Sequence, residues 1–82
     1  IEREIVLAKV RAVGSSRDEI KRLADIFRGQ IVDVTPKSYT IQLSGTNDKV
    51  DAFISALKEE TTLLEIVRSG LISVSRGEKN IL

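Results

Sequence analysis

The sequence predicts an α+β sandwich in which a four-stranded antiparallel sheet carries two helices on one face. Three observations predict it. Apolar residues recur with a period of two or of about 3.6 in the order strand, helix, strand, strand, helix, strand. The helical stripe Ile20, Leu23, Ala24 and Phe27 returns as Val50, Phe53, Ile54 and Leu57, at one constant offset of 30 residues (20 to 50, 23 to 53, 24 to 54, 27 to 57). Glycines Gly14, Gly29, Gly45, Gly70 and Gly77 fall at the expected junctions.

Each element has its own signature. From Glu2 to Val13 the chain is β-branched and aliphatic, and Lys9 and Arg11 alternate with Ala8, Val10 and Ala12, a strand pattern that Gly14 and Ser15 break. Ser16 stands three residues before Glu19, the spacing of a capping box, and Ile20, Leu23, Ala24 and Phe27 then line one helical face. Gly29 is expected to end that helix in the left-handed conformation. Gln30 to Thr35 reads as a short strand, and Pro36 makes a turn of Thr35 to Ser38. Tyr39, Ile41 and Leu43 alternate with Thr40, Gln42 and Ser44, so the first three should face the helices. Thr46, at the same 30-residue offset from Ser16 (16 to 46), is the expected cap of the second helix, with Asp48 suited to its positive end. Leu63 to Val67 is the last long strand, and Gly70 bends the chain before Leu71 to Ser75 extends it. Two βαβ units of equal length interleave as a ferredoxin-like sandwich, first and third strands central. Residues 1–77 form this domain and 78–82 a tail.

Composition narrows the function. Thirteen basic against 12 acidic residues leave a charge of +1, so a nucleic-acid binder held by phosphate contacts is not expected. The chain lacks Cys and His, so it has no thiolate nucleophile, no imidazole base and no zinc-ribbon ligands. No apolar run approaches the ~20 residues that span a bilayer, and no signal segment opens the chain. A first residue of Ile rather than Met suggests a piece of something longer. Below roughly 80 residues a core supplies only ~3–5 kcal/mol, so a partner would be a useful support.

No motif for chemistry emerges. The glycines form neither a dinucleotide fingerprint nor a phosphate loop. Asp18, Glu19 and Asp25 sit among Arg17, Lys21, Arg22 and Arg28, the pattern of a solvated helix face. Asp33 within a strand fits a water-facing edge better than an acid–base role. An RNA-recognition motif shares the element order but needs stacking aromatics, and with Phe27 and Phe53 directed inward only Tyr39 is left. Small-molecule sensor modules share the architecture as well. Gly14-Ser15-Ser16-Arg17 could offer amides to an anion, although a linker and helix cap is the commoner use. The two helices leave one sheet face uncovered. If Val6, Ala8, Val10 and Ala12 point inward, Ile5, Leu7, Lys9 and Arg11 lie on that open face, a composition that suits a moderately polar protein interface.

Longer strings add a resemblance. Lys9-Val10-Arg11-Ala12, Arg17-Asp18-Glu19 and the run from Ile26 through Arg28-Gly29-Gln30 to Thr35 resemble the small, regulatory subunit of acetolactate synthase. So do Gln42 to Thr46, Asp51-Ala52-Phe53, Glu65 to Gly70, and Ser75-Arg76-Gly77. The likeness is to the C-terminal domain of that family; its N-terminal ACT domain has no counterpart here, so no effector residue carries over. The resemblance implies a non-catalytic chain that forms a homodimer and docks on a large catalytic subunit. That subunit carries thiamine diphosphate, magnesium and FAD and serves valine, leucine and isoleucine synthesis; no cofactor or metal is expected in this chain. Arg11, Arg28, Arg68 and Arg76 lie in the matching strings and are candidate partner contacts, or ordinary surface arginines. Replacing Arg68 and Arg76 together is then expected to leave melting nearly unchanged. The rival readings are a stand-alone amino-acid-sensing, ACT-like dimer and a purely structural dimerisation domain.

Overall fold

A computed structural model describes residues 2–70 and 72–73. In chain order these form β1 (Glu2–Arg11), α1 (Ser16–Ile26), β2 (Gln30–Val34), β3 (Ser38–Gly45), α2 (Asn47–Glu60), β4 (Leu63–Arg68) and β5 (Ile72–Ser73). The sheet runs β2-β3-β1-β4, all neighbours antiparallel, so the first and third strands are central as the ferredoxin-like pattern requires. The two-residue β5 pairs with the start of β1, Ile72 opposite Arg3 and Ser73 opposite Glu2. Of the expected extension from Leu71 to Ser75, those two residues are described; Leu71, Val74, Ser75, Arg76 and the expected tail lie outside the described residues.

The core forms where the two periodicities meet. Val6, Ala8, Val10 and Ala12 from β1 and its exit, and Ile41 and Leu43 from β3, are buried beneath Ile20 and Ala24 of α1 and Val50, Phe53, Ile54 and Leu57 of α2. Leu23, Phe27, Ile31, Tyr39 and Leu63 pack around its margin. The repeated stripe therefore does become one core. Its aromatic members meet directly, with the Phe27 and Phe53 ring centroids 5.3 Å apart and the rings tilted by 59°, a favoured edge-on geometry.

The helix ends depart from the repeat. Thr46 caps α2 as expected, its hydroxyl accepting from the Lys49 amide at 3.4 Å. Ser16 does not cap α1: it is the first helical residue, and Ser15 occupies the cap position without a side-chain bond. The Ser16 hydroxyl turns back instead, donating to the Val13 carbonyl at 2.6 Å, while Glu19 pairs with Arg22 at 2.6 Å. The expected capping box is thus absent, because both side chains find partners closer to hand.

At the other end of α1 the left-handed residue is Arg28, with φ of 62°, rather than Gly29. The Arg28 amide donates to Asp25 and the Gly29 amide to Ala24, a Schellman closure in which Gly29 follows the left-handed position. Gly29 is needed for closeness: a Cβ there would lie 3.1 Å from Ile41 Cγ2 and 3.2 Å from the Gln42 carbonyl oxygen.

Both edge strands carry a bulge. The pairing passes from Ile31–Ile41 to Asp33–Thr40 and from Val10–Leu63 to Lys9–Glu65, so Val32 and Leu64 are extra residues in β2 and β4. A bulge twists an edge and makes further strand pairing harder. Asp33 is exposed on edge strand β2, as anticipated.

Candidate docking face

The face of the sheet turned away from the helices is the candidate site. Alternation in β1 puts Ile5, Leu7, Lys9 and Arg11 on it, since Val6, Ala8 and Val10 are all buried on the other side. Directly opposed residues share a face, so β3 adds Ser44, Gln42 and Thr40, opposite Ile5, Leu7 and Lys9. From β4 come Val67 opposite Leu7 and Glu65 opposite Lys9. Ile5, Leu7 and Val67 are 44%, 39% and 66% exposed, and they form an apolar patch beside hydroxyls, an amide and both signs of charge. An apolar centre inside a polar surround is the anatomy of a reversible protein interface.

The four candidate arginines are dispersed. Arg11 is exposed at one end of the open face, and its carbonyl accepts from the Thr61 hydroxyl at 2.6 Å. Arg28 is exposed at the end of α1, away from the sheet face. Arg76 lies outside the described residues. Arg68 is committed within the molecule. Opposite Val6, it stands on the helix side of β4, where its Nε and Nη2 donate to the two carboxylate oxygens of Glu4 at 2.8 and 2.6 Å. Its remaining nitrogen, Nη1, reaches Asp51 Oδ1 on α2 at 2.9 Å.

Glu4 is 2% exposed and also accepts from Asn47 Nδ2 at 3.0 Å. The bond from Arg68 outweighs the opposing cost of burial and holds the Glu4 carboxyl below the ordinary carboxylate range, with Asn47 assisting. The same pair, with Asp51 second, raises the pKa of the Arg68 guanidinium. Melting is therefore expected to respond to Arg68, contrary to the reading of it as a free surface arginine. The signal was present in the sequence as a carboxylate at an inward-facing β1 position, in register with Val6, Ala8 and Val10.

Arg17 is the other charged residue with a structural role that its sequence neighbourhood conceals. Its Nη1 donates to the carbonyls of Ala12, Thr35 and Pro36 at 2.8, 3.0 and 3.1 Å, and its guanidinium lies 4.5 Å from the Tyr39 ring centroid. It ties the exit of β1 to the β2–β3 turn. Tyr39 is thereby half-buried beneath a cation, and no aromatic side chain among the described residues stands on the open face. Among the described residues no His, Cys, Asp and Glu cluster of three or more could hold a metal, and no helix is long and apolar enough to cross a membrane.

Comparison with known proteins accounts for almost all of the chain. Residues 3–77 match the family described as the small subunit of acetolactate synthase. The acetolactate synthase isozyme 3 small subunit of Salmonella typhimurium is 53% identical over 79 residues, covering 96% of this chain and 48% of the relative. The acetolactate synthase small subunit of Aquifex aeolicus is 43% identical over 77 residues, covering 93% of this chain and 40% of the relative. Among solved structures, the acetolactate synthase small subunit of Thermotoga maritima superposes with a TM-score of 0.83 at 38% identity, over 96% of this chain and 48% of that one. The chain spans about half the length of these relatives, and the part it covers is C-terminal. It belongs to the acetolactate synthase small-subunit family.

Proposed function

We propose that this chain is the C-terminal portion of a non-catalytic regulatory subunit, which docks through its open sheet face on an acetolactate synthase catalytic subunit and modulates it. Family membership over residues 3–77 carries the reading. The thiamine diphosphate, magnesium and FAD belong to the catalytic subunit, a transferase of branched-chain amino acid synthesis, and this chain adds contacts rather than reacting groups. The setting is cytoplasmic.

Size favours a contact that is one part of a larger interface. Four strands at ~4.8 Å spacing and about eight residues at ~3.3 Å give a face of roughly 20 × 25 Å, or about 500 Å². A standard interface takes about 800 Å² from each partner, so the remainder of a full-length small subunit is the natural source of the difference. Modulation then follows from unequal affinity: a docked chain shifts the catalytic subunit toward whichever conformation it binds better.

Mixing the protein with an acetolactate synthase catalytic subunit, and measuring co-elution and turnover, tests the reading. Co-elution that is lost when Leu7 and Val67 are both changed to Ser is expected. Failure of the unaltered chain to associate, with no change in turnover, would refute it. Light scattering on the same samples reads the homodimer: a dimer that survives those two changes leaves the open face to the catalytic subunit. Calorimetric titration with valine, leucine or isoleucine is expected to show no heat, and a saturable signal would move the function to amino-acid sensing.

A further inference from the structure

The ion cluster on the helix side lies directly behind the apolar patch. Successive residues of a strand face opposite ways, so Val67 is on the open face while its neighbour Arg68 is on the covered one. Across the ladder Leu7 and Ile5 alternate in the same manner with Val6 and Glu4. Where the β1–β4 ladder ends, this cluster and Ser69 continue the attachment. The Ser69 amide donates to the Ile5 carbonyl at 2.9 Å, and the Ser69 hydroxyl accepts from the Ile5 amide at 2.8 Å. Gly70 follows with φ of 75°, and Ile72 and Ser73 then rejoin β1 opposite Arg3 and Glu2. Among the described residues β4 is an edge strand, paired on its β1 side alone, the kind of segment that opens locally at small cost.

The two arms of Arg68 are unequal. Glu4, buried and bonded through both carboxylate oxygens, has no solvent to turn to if Arg68 leaves. Asp51 is 56% exposed and can exchange Arg68 for any other cation that approaches α2. One arm is thus a fixed anchor and the other a contact open to competition.

We propose that Glu4, Arg68 and Asp51 form a latch: with Asp51 engaged, α2 holds the end of β4 in register so that Leu7 and Val67 present one surface, and a basic group of a partner that captures Asp51 loosens that edge and the docking face with it. The latch rests on the geometry of the cluster, and its consequence for binding rests on the docking reading above. It gives a regulatory subunit a route from its helical side to its sheet side through a single guanidinium.

Hydrogen exchange on the protein carrying Asp51→Asn tests the latch without any partner. The amides of β4 and Ser69 are expected to exchange about 1.5- to fivefold faster, the range for losing one exposed ion pair, while those of β2 and β3 are unchanged. Arg68→Lys, which keeps the charge and loses the fork, should accelerate the same amides further. Unchanged exchange at β4 in both variants, or equal acceleration at both edges of the sheet, would overturn the latch. Binding to the catalytic subunit is then compared. Asp51→Asn should weaken it by a similar factor; normal affinity alongside faster β4 exchange would overturn the coupling. If Leu7→Ser with Val67→Ser also binds normally, the docking face itself is wrong, and the exchange result still judges the latch.

Discussion

The covered and open faces of this sheet are built by the same strands, yet they follow different rules. On the covered face Val6, Ala8, Val10, Ile41 and Leu43 are wholly aliphatic, and a carboxylate buried there, Glu4, has both oxygens bonded. On the open face Leu7 stands between Val67 and Gln42, and Lys9 between Glu65 and Thr40. The first face must be self-consistent, because each buried polar group needs a partner inside the molecule. The second can leave its apolar groups half in water, and a residue there answers to whatever docks. The same alternation that separates the faces also joins them, since each contact behind the sheet is one residue away from a contact in front.

Substitutions sharpen that contrast, and the largest effect belongs to the covered face. Phe53→Ala removes a fully buried ring and its contact with Phe27, and should cost about 3–5 kcal/mol in urea denaturation. A loss near 1 kcal/mol would mean that the helices are poorly packed on the sheet and that the two faces differ less than described. Arg68→Ala follows. It leaves the Glu4 carboxylate buried without a cation, with Asn47 as its remaining side-chain partner, and a fall in melting temperature of several degrees is expected by calorimetry. An unchanged melting temperature would return Arg68 to the role of a free partner contact.

Acidification probes the same cluster more gently. The Glu4 carboxyl is depressed in the folded protein, so its stabilisation is complete above the ordinary carboxylate pKa and is lost as pH falls through the lowered folded value. Melting of the unaltered protein should therefore decline more steeply from about pH 5 downward than that of Glu4→Gln. Parallel curves would show that the bonds to Glu4 are not worth their geometry.

Leu7→Ser with Val67→Ser is the smallest test of stability and the sharpest of function. Both side chains are already exposed, so the two changes together should shift unfolding by no more than about 1 kcal/mol, while association with a catalytic subunit is lost. A large fall in stability would make the open face part of the core, and the contrast would collapse.

Much of this was legible in the chain. The stripe at offset 30 located both helices and eight of the residues that pack the core, and alternation placed Ile41 and Leu43 inward and Gln42 and Ser44 outward. Asp33 at an edge, Thr46 as a cap and the pairing of central strands also followed from pattern. What pattern missed were competitions between partners. Ser16 and Glu19 have the spacing of a capping box, but Val13 and Arg22 claim them. Arg28 takes the left-handed turn expected of Gly29, while Gly29, one residue on, is pressed against Ile41 and Gln42. Arg17, read as one charge in a solvated row, instead gathers three carbonyls.

Periodicity depends on the chain alone: each residue's place on a helix or strand is set by its neighbours, so element order, the two faces and the family strings could all be read from the 82 residues. Partner choice for charges does not. Arg68 and Glu4 are 64 residues apart, and only the antiparallel pairing of β1 with β4, with α2 laid above, brings a guanidinium within 2.6 Å of the Glu4 carboxylate and within reach of Asp51. Long charged side chains meet whatever the fold carries to them, and that is a property of three-dimensional assembly rather than of local pattern.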